Sequence, residues 1–153
     1  MNLPKLNLPE YSHKFRTAHG KNEIWDTVRK KYVSLLPEEW VRQNFICFLD
    51  QLGYSKSLMK IESSLSYNQR EKRPDILVYS NTSQALIIVE CKSPDIRMSQ
   101  SVFDQASVYN KKIGALVLII TNGLTHYCCK QDFESNQFIF LDSIPTYQDL
   151  INS

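Results

Sequence analysis

Apolar side chains between Pro37 and Leu52 recur at the spacing of one helix face. Pro37 suits the first turn of a helix and Gly53 suits its end, so the pattern predicts a helix over 37–52. A second helix is predicted over 99–112. The apolar positions of the first helix are Val41, Phe45, Phe48, Leu49 and Leu52.

The remaining apolar segments are short, β-branched and bounded by turn residues, which is typical of strands. The segment 85–92 is apolar until Glu90 and indicates a central strand covered on both faces. The order of helix, three strands, helix and strand predicts an α/β fold, a mixed β-sheet flanked by helices with an α-β-β-β-α-β core. The predicted strands span 58–67, 74–79, 85–92, 115–120, 126–130 and 137–141, with a polar loop at 68–72.

The first twenty residues show no sustained period of apolar positions and contain Pro4, Pro9 and Gly20. We therefore expect an N-terminal arm at 1–21, without a core element. At 153 residues and 42% hydrophobic content, the chain can bury one substantial core but not two. A single domain is predicted over 22–153.

The composition excludes several classes of protein. No run of about 18 apolar residues occurs and the N-terminus lacks an apolar signal segment, so we expect a cytoplasmic protein without a membrane span. Neither the four cysteines nor the three histidines show the spacing of a zinc site, and we expect the cysteines to be buried thiols. Nucleotide-binding glycine loops and a Gly-x-Ser-x-Gly motif are absent.

A net charge of +2 does not identify a nucleic-acid-binding protein, but the cations are unevenly distributed. Either of two clusters is a candidate for phosphate contact, and Arg73 lies directly before the predicted strand 74–79. For the N-terminal cluster we favour a solvated face over phosphate contact. The clusters are Lys5, Lys14, Arg16, Lys21, Arg29, Lys30 and Lys31, and Arg70, Lys72 and Arg73.

Three ionisable residues, Asp75, Glu90 and Lys92, interrupt strands that are otherwise hydrophobic. A hairpin centred between residues 82 and 83 would place Asp75 directly across from Glu90, with Lys92 on the same face. Two facing carboxylates repel each other unless a cation lies between them. Oxygen ligands suit Mg²⁺, for which Mn²⁺ can substitute. A lysine beside such a metal can orient water or stabilise charge on phosphorus, which is the chemistry of phosphodiester hydrolysis.

These motifs resemble the PD-(D/E)XK nuclease superfamily, and more narrowly the N-terminal nuclease domain of type I restriction enzyme R subunits. The resemblance covers residues 23–141 and implies a restriction-endonuclease-like fold. The matching blocks are Pro37-Glu38-Glu39-Trp40-Val41-Arg42-Gln43, Arg73-Pro74-Asp75, Val89-Glu90-Cys91-Lys92, Gln105 with Tyr109-Asn110, and Thr121-Asn122-Gly123.

The resemblance also implies roles for individual residues. Asp75 and Glu90 would bind the metal, Cys91 would bind it through its backbone carbonyl, and Lys92 would be the catalytic lysine. The family places a further glutamate on the first helix. We favour Glu38 over Glu39, because Glu38 shares the apolar face and Glu39 points away from it. Arg42, one turn after Glu38, is expected to pair with it. The Gln105 and Tyr109 pair is expected beside the hairpin, where Gln105 would steady Lys92 or a substrate phosphate and both would contact nucleic acid.

Three functions remain open from the sequence. The first is a Mg²⁺-dependent endonuclease acting on DNA, for which a homodimer would suit cutting of both strands. The second is a nucleic-acid-binding module that does not cleave and works with a motor or specificity subunit. The third is a self-association or inhibitor protein with vestigial acids. A structural salt bridge between Lys92 and one acid is the simplest alternative to a site, but it explains only one of the charges.

Overall fold

The computed structural model describes residues 2–62 and 74–152. These residues contain two β-sheets and three α-helices. In chain order the elements are β1 (Phe15–Ala18), β2 (Lys21–Asp26), β3 (Lys31–Ser34), α1 (Pro37–Gln51), a short 3₁₀ helix (Lys56–Leu58), β4 (Met59–Ile61), β5 (Ile76–Tyr79), β6 (Ala85–Cys91), α2 (Gln100–Ile113), β7 (Val117–Thr121), β8 (His126–Asp132), β9 (Gln137–Leu141) and α3 (Tyr147–Ile151).

The larger sheet has the strand order β4-β5-β6-β7-β8-β9. Only the β6–β7 pair is parallel among these described strands, and α2 makes the crossover that a parallel connection requires. The predicted mixed sheet flanked by helices is therefore confirmed. Within the predicted strand 58–67, residues Met59–Ile61 form β4, while residues 63–67 and the loop 68–72 lie outside the described residues.

Helices cover both faces of the large sheet. On the α1 side, Phe45 and Leu49 pack with Ile87 and Val89 of β6. On the α2 side, Ala106 packs with Ile88 and Leu118. Because both faces of β6 are covered, its residues Leu86 to Val89 are almost inaccessible to solvent, which explains the continuous apolar segment.

The N-terminal region differs from the expected loosely packed arm. Residues Phe15–Ala18 form β1, which pairs with β2 in a second, three-stranded antiparallel sheet. Leu6 belongs to the main core, and the backbone N–H of Asn7 donates to the carbonyl of Gly123 at 2.8 Å. The expectation of no core element before residue 21 is wrong, since Leu6 belongs to the main core. The sequence did not reveal this because Leu6 is a lone apolar contact outside any periodic pattern. The domain division at residues 21 and 22 stays a prediction.

All four cysteines are free thiols, three of them buried (Cys91, Cys128 and Cys129) and Cys47 partly buried. The three buried thiols pack in the hydrophobic clusters, as expected, whereas Cys47 lies outside them. Among the described residues, no helix has both the length and the apolar character needed to cross a membrane.

Candidate active site

The β5–β6 hairpin brings Asp75 and Glu90 to the same end of the large sheet. Ile76 pairs with Val89, so the next step outward places Asp75 opposite Glu90. The register shifts between Val78 and Tyr79, near the turn, and this irregularity does not reach the far end of the hairpin. The opposition of the two carboxylates therefore follows from the pairing of the apolar residues.

Asp75 is buried and its two carboxylate oxygens have different partners. The backbone N–H of Cys91 donates to Oδ2 at 2.7 Å. Nη2 of Arg42 donates to Oδ1 at 2.5 Å. These bonds hold the carboxylate between β6 and α1, with its orientation set from both sides.

Glu90 is in an environment that disfavours its charge. Burial, followed by the nearby carboxylate of Asp75, raises the pKa of Glu90 to about 8. Lys92 Nζ lies 3.6 Å from Glu90 Oε1, which makes an ion pair but not a short hydrogen bond. Glu90 Oε2 is buried and has no hydrogen-bond partner among the described residues. A buried acceptor without a donor is costly, so this oxygen marks a position where a cation or donor would be stabilising.

Glu38 joins this group from the first turn of α1. Its Oε1 lies 3.2 Å from Nη2 of Arg42, as the helical spacing predicted. Burial, followed by the charge of Asp75, raises the pKa of Glu38. Glu38, Asp75 and Glu90 thus influence one another electrostatically, and Lys92 is near enough to oppose the effect on Glu38 and Glu90.

Glu39 has a different environment from the one expected. The helical wheel pointed it away from the apolar face, but its side chain is buried between two arginines. Arg29 Nη2 donates to Glu39 Oε1 at 2.6 Å, and Arg42 Nη1 donates to Oε2. The wheel describes α1 alone and does not include the β2–β3 turn, which supplies Arg29.

Sequence reasoning expected Arg42 to pair with Glu38 and did not place it at Asp75 or Glu39, which it also contacts. Only 4% of its side chain is exposed, and it bonds Glu38, Glu39 and Asp75. Although burial opposes its charge, the carboxylates of Asp75 and Glu39 raise the pKa of the guanidinium. A signal was present, because an arginine next to Val41 on the buried face of a helix requires acidic partners.

Of the other predicted site residues, the structure describes only some. Gln105 is exposed on α2, and among the described residues its side chain makes no hydrogen bond to Lys92. Cys91 is fully buried, and its backbone N–H reaches the site through its bond to Asp75. Arg73 and the side chain of Tyr109 lie outside the described residues.

Two asparagines of the sequence motifs have structural contacts. Asn110 is fully buried, accepts from the N–H of Ala115 at 2.7 Å and donates to Gln131 Oε1 at 2.6 Å. Asn122 accepts from the N–H groups of Leu124 and Thr125 and thereby shapes the β7–β8 turn. These two motif positions stabilise turns beside the sheet.

Glu38, Asp75 and Glu90 are together called the acid group. Their donor chemistry fits a hard cation. Three carboxylates, one of them with a buried oxygen that lacks a partner, are ligands that Mg²⁺ and Mn²⁺ prefer. Within residues 2–62 and 74–152, however, no three His, Cys, Asp or Glu side chains already converge into a complete metal site. Arg42 Nη2 donates to Oδ1 of Asp75, an oxygen that a metal at this carboxylate could also bind.

Comparison with known proteins identifies the family. Residues 37–145 match the family described as type I restriction enzyme R protein N terminus (HSDR_N). No curated protein matches the chain. Among solved structures, the chain is similar to a fragment of a protein assigned as an HsdR subunit of a type I restriction enzyme from Vibrio vulnificus YJ016, with 20% identity and a TM-score of 0.53. That match covers 77% of this chain and 25% of the other, so the chain spans a quarter of its length and shares its fold. Because the family match extends over more than half of the sequence, the chain belongs to the type I restriction enzyme R protein N-terminal family.

Proposed function

We propose that the domain is a Mg²⁺-dependent endonuclease of the PD-(D/E)XK superfamily that hydrolyses phosphodiester bonds of DNA. One observation carries this proposal: Glu38, Asp75 and Glu90 act on one another electrostatically beside Lys92, and Glu90 Oε2 is buried without a partner. Acids arranged in this way are unfavourable for stability unless a cation offsets them. The family to which the chain belongs is that of restriction enzyme subunits, which agrees with this function.

In the proposed mechanism, Glu38, Asp75, Glu90 and the backbone carbonyl of Cys91 would hold the metal. A bound Mg²⁺ would supply a Lewis acid for the phosphate and lower the pKa of a coordinated water. Lys92 is half-buried beside Glu90, where its ammonium can orient the attacking water or stabilise negative charge on the phosphate. The hydrogen bond from the N–H of Cys91 keeps the carboxylate of Asp75 directed at the site.

A second candidate function is favoured by a separate observation. Arg42 already supplies a positive charge to Asp75, Glu38 and Glu39, so part of the acid group is neutralised within the protein itself. A domain with that arrangement can be stable without metal. It would then serve as a DNA-binding module that does not cleave, acting with a motor or specificity subunit.

Plasmid cleavage separates the two candidates. Supercoiled plasmid is incubated with Mn²⁺ and with wild-type protein, Lys92→Ala or Glu90→Gln, and Lys111→Ala, an exposed lysine on α2, is the matched control. We expect Lys92→Ala and Glu90→Gln to cut at least about 100-fold more slowly, with the control equal to wild type. Cutting that Lys92→Ala leaves unchanged would refute this site. DNA binding without cleavage in the presence of either metal would favour the non-cleaving module.

A further inference from the structure

The small sheet has two chemically different faces. Side chains alternate along its strands, and the inner face packs on α1: Phe15 lies 6.3 Å from Trp40 between ring centroids, and Asp26 accepts from Gln43 at 3.0 Å. The opposite face is therefore directed outward. Its residues are Lys14, Arg16 and Ala18 beside β2, Lys21, Glu23 and Trp25 on β2, and Tyr32 and Ser34 on β3. We call it the outer face.

Cations and aromatic rings are interleaved on the outer face. The guanidinium carbon of Arg16 lies 4.2 Å from the centre of the Tyr32 ring, and the rings of Trp25 and Tyr32 meet edge to face at 5.0 Å. Lys14 and Lys21 are exposed and make no ion pair within the described part of the chain. Glu23, the acid of this face, is neutralised by Arg16 at 2.7 Å. The outer face therefore has a net positive charge and partly exposed π surfaces.

Further cations lie at the turn between β2 and β3. Lys30 and Lys31 are both exposed, and the backbone of Lys30 has a φ of +58°. This turn adds exposed positive charge at one end of the small sheet, with Lys31 opposite Asp26 on the inner side. Charge of one sign concentrated along one surface is the electrostatic pattern of nucleic-acid binding.

A chain of ion pairs connects this sheet to the acid group. Asp26 binds Arg29 Nε at 2.5 Å, and Arg29 in turn binds Glu39 at 2.6 Å. Glu39 is bound by Arg42, which binds Asp75. The small sheet is therefore held against the N-terminal end of α1, where Glu38 faces the proposed metal site.

We propose that the outer face binds the phosphate backbone of duplex DNA, an inference that rests on the proposed function for its choice of partner. The lysines neutralise phosphates, and the partly exposed ring of Trp25 offers apolar surface to the sugars of the backbone. A merely solvated lysine cluster does not require partly exposed aromatic rings beside it. The charge complementarity identifies DNA as the occupant, since a protein partner for this face would have to be strongly acidic.

The test measures DNA binding without cleavage. Fluorescence anisotropy of a short labelled duplex is followed in EDTA for wild type and for Lys14→Glu/Lys21→Glu. The control, Lys111→Glu/Lys112→Glu, makes the same change of charge at two exposed lysines of α2. We expect about ten-fold weaker binding for the first pair and less than about three-fold for the control. The slope of log K against log salt should fall by about 2 for the first pair only, because two phosphate contacts are lost.

Trp25 supplies a second measurement that leaves the proposed face intact. The chain has two tryptophans, so Trp40→Phe makes Trp25 the single indole reporter. Titration with duplex DNA should quench its fluorescence. Equal weakening by both lysine pairs, absence of quenching, or absence of wild-type binding would overturn the inference.

The outcome is distinguishable from failure of the proposed function. Loss of binding in the Lys14/Lys21 variant together with no plasmid cleavage by wild type would support the DNA surface and reject the nuclease. Cleavage by wild type together with unchanged binding of that variant would support the nuclease and reject the DNA surface.

Discussion

Arg42 and Asp75 lie 33 positions apart in the chain, and Nη2 of the arginine donates to Oδ1 of the aspartate at 2.5 Å. The same guanidinium bonds Glu39 and Glu38. The acid group therefore contains its own cation. A divalent metal binding at Asp75 would compete with this guanidinium, because both require the same oxygen.

Replacing Arg42 tests this competition. In EDTA, Arg42→Ala should lower the free energy of unfolding by about 3 kcal/mol, since it leaves buried carboxylates without their counter-charge. Millimolar MnCl₂ should recover more stability in this variant than it adds to wild type, because the metal no longer competes with the guanidinium. Urea unfolding with and without metal measures both effects.

Arg42→Lys covers the case in which the alanine variant does not fold. Lysine keeps the charge but loses the fork that bonds several carboxylates, so the stability should lie between those of wild type and Arg42→Ala. A metal-induced stabilisation that is the same in wild type and in Arg42→Lys would contradict the competition.

The hairpin register was predictable because it depends on local pattern. Ile76 and Val89 must both face the core, and a slip of one residue would expose every apolar side chain of the strand. That constraint outweighs the irregularity at Tyr79, so the opposition of Asp75 and Glu90 agrees with the predicted turn centre. The ends of α1 were predictable for a similar reason, from Pro37 and Gly53.

The contacts across elements were not predictable in the same way. A helical wheel grouped Glu38 with the apolar face and turned Glu39 away from it, but Glu38 is partly exposed and Glu39 is buried. Arg29, which covers Glu39, comes from a turn outside the helix. The small sheet was missed because the outer face of β2 and β3 is polar and aromatic, and Ile24 is the one fully buried apolar residue of β2. For Gln105, the motif in the sequence predicted a contact with Lys92 that the structure does not show among the described residues.

Asp26 should make stability depend on pH in acid. It is fully buried and accepts from the N–H groups of Val28 and Arg29 and from the side chains of Arg29 and Gln43. Although burial opposes its charge, these hydrogen bonds lower the pKa of its carboxyl below the ordinary 3.8. The stabilisation is present above the unfolded-state pKa and is lost as the pH falls through the folded-state pKa.

The substitution Asp26→Asn isolates that contribution. At pH 7 it should cost about 3 kcal/mol, because Arg29 loses a buried counter-charge. The difference between variant and wild type should shrink as the pH falls below about 4. Urea midpoints measured at several pH values test this, and a difference that stays constant down to pH 2.5, about one unit below the ordinary aspartate value, would contradict it.

Gly123 should resist substitution for two separate reasons. Its φ is +86°, and a Cβ there would lie 2.7 Å from Cδ2 of Leu6 and 3.1 Å from Cγ2 of Val41. Gly123→Ala should therefore cost about 2 kcal/mol or more in thermal unfolding. Gly20→Ala is the control, since Gly20 has a φ of +74° but open space around it, and should cost about 1 kcal/mol. Equal losses would show that Leu6 does not pack closely on this turn.

Glu38 and Glu39 should give opposite phenotypes when each is changed to glutamine. Glu38 is partly exposed and directed at the acid group, so Glu38→Gln should weaken Mn²⁺ binding about ten-fold and change the stability in EDTA little. Glu39 is buried between Arg29 and Arg42, so Glu39→Gln should lower stability by about 3 kcal/mol. Its folded fraction should bind Mn²⁺ with an affinity within about two-fold of wild type. Calorimetric titration with MnCl₂ and urea unfolding of the same samples separate the two effects. If Glu39→Gln lost Mn²⁺ affinity and Glu38→Gln did not, the helix ligand would be Glu39, and the distribution of the two arginines would have to change when metal binds.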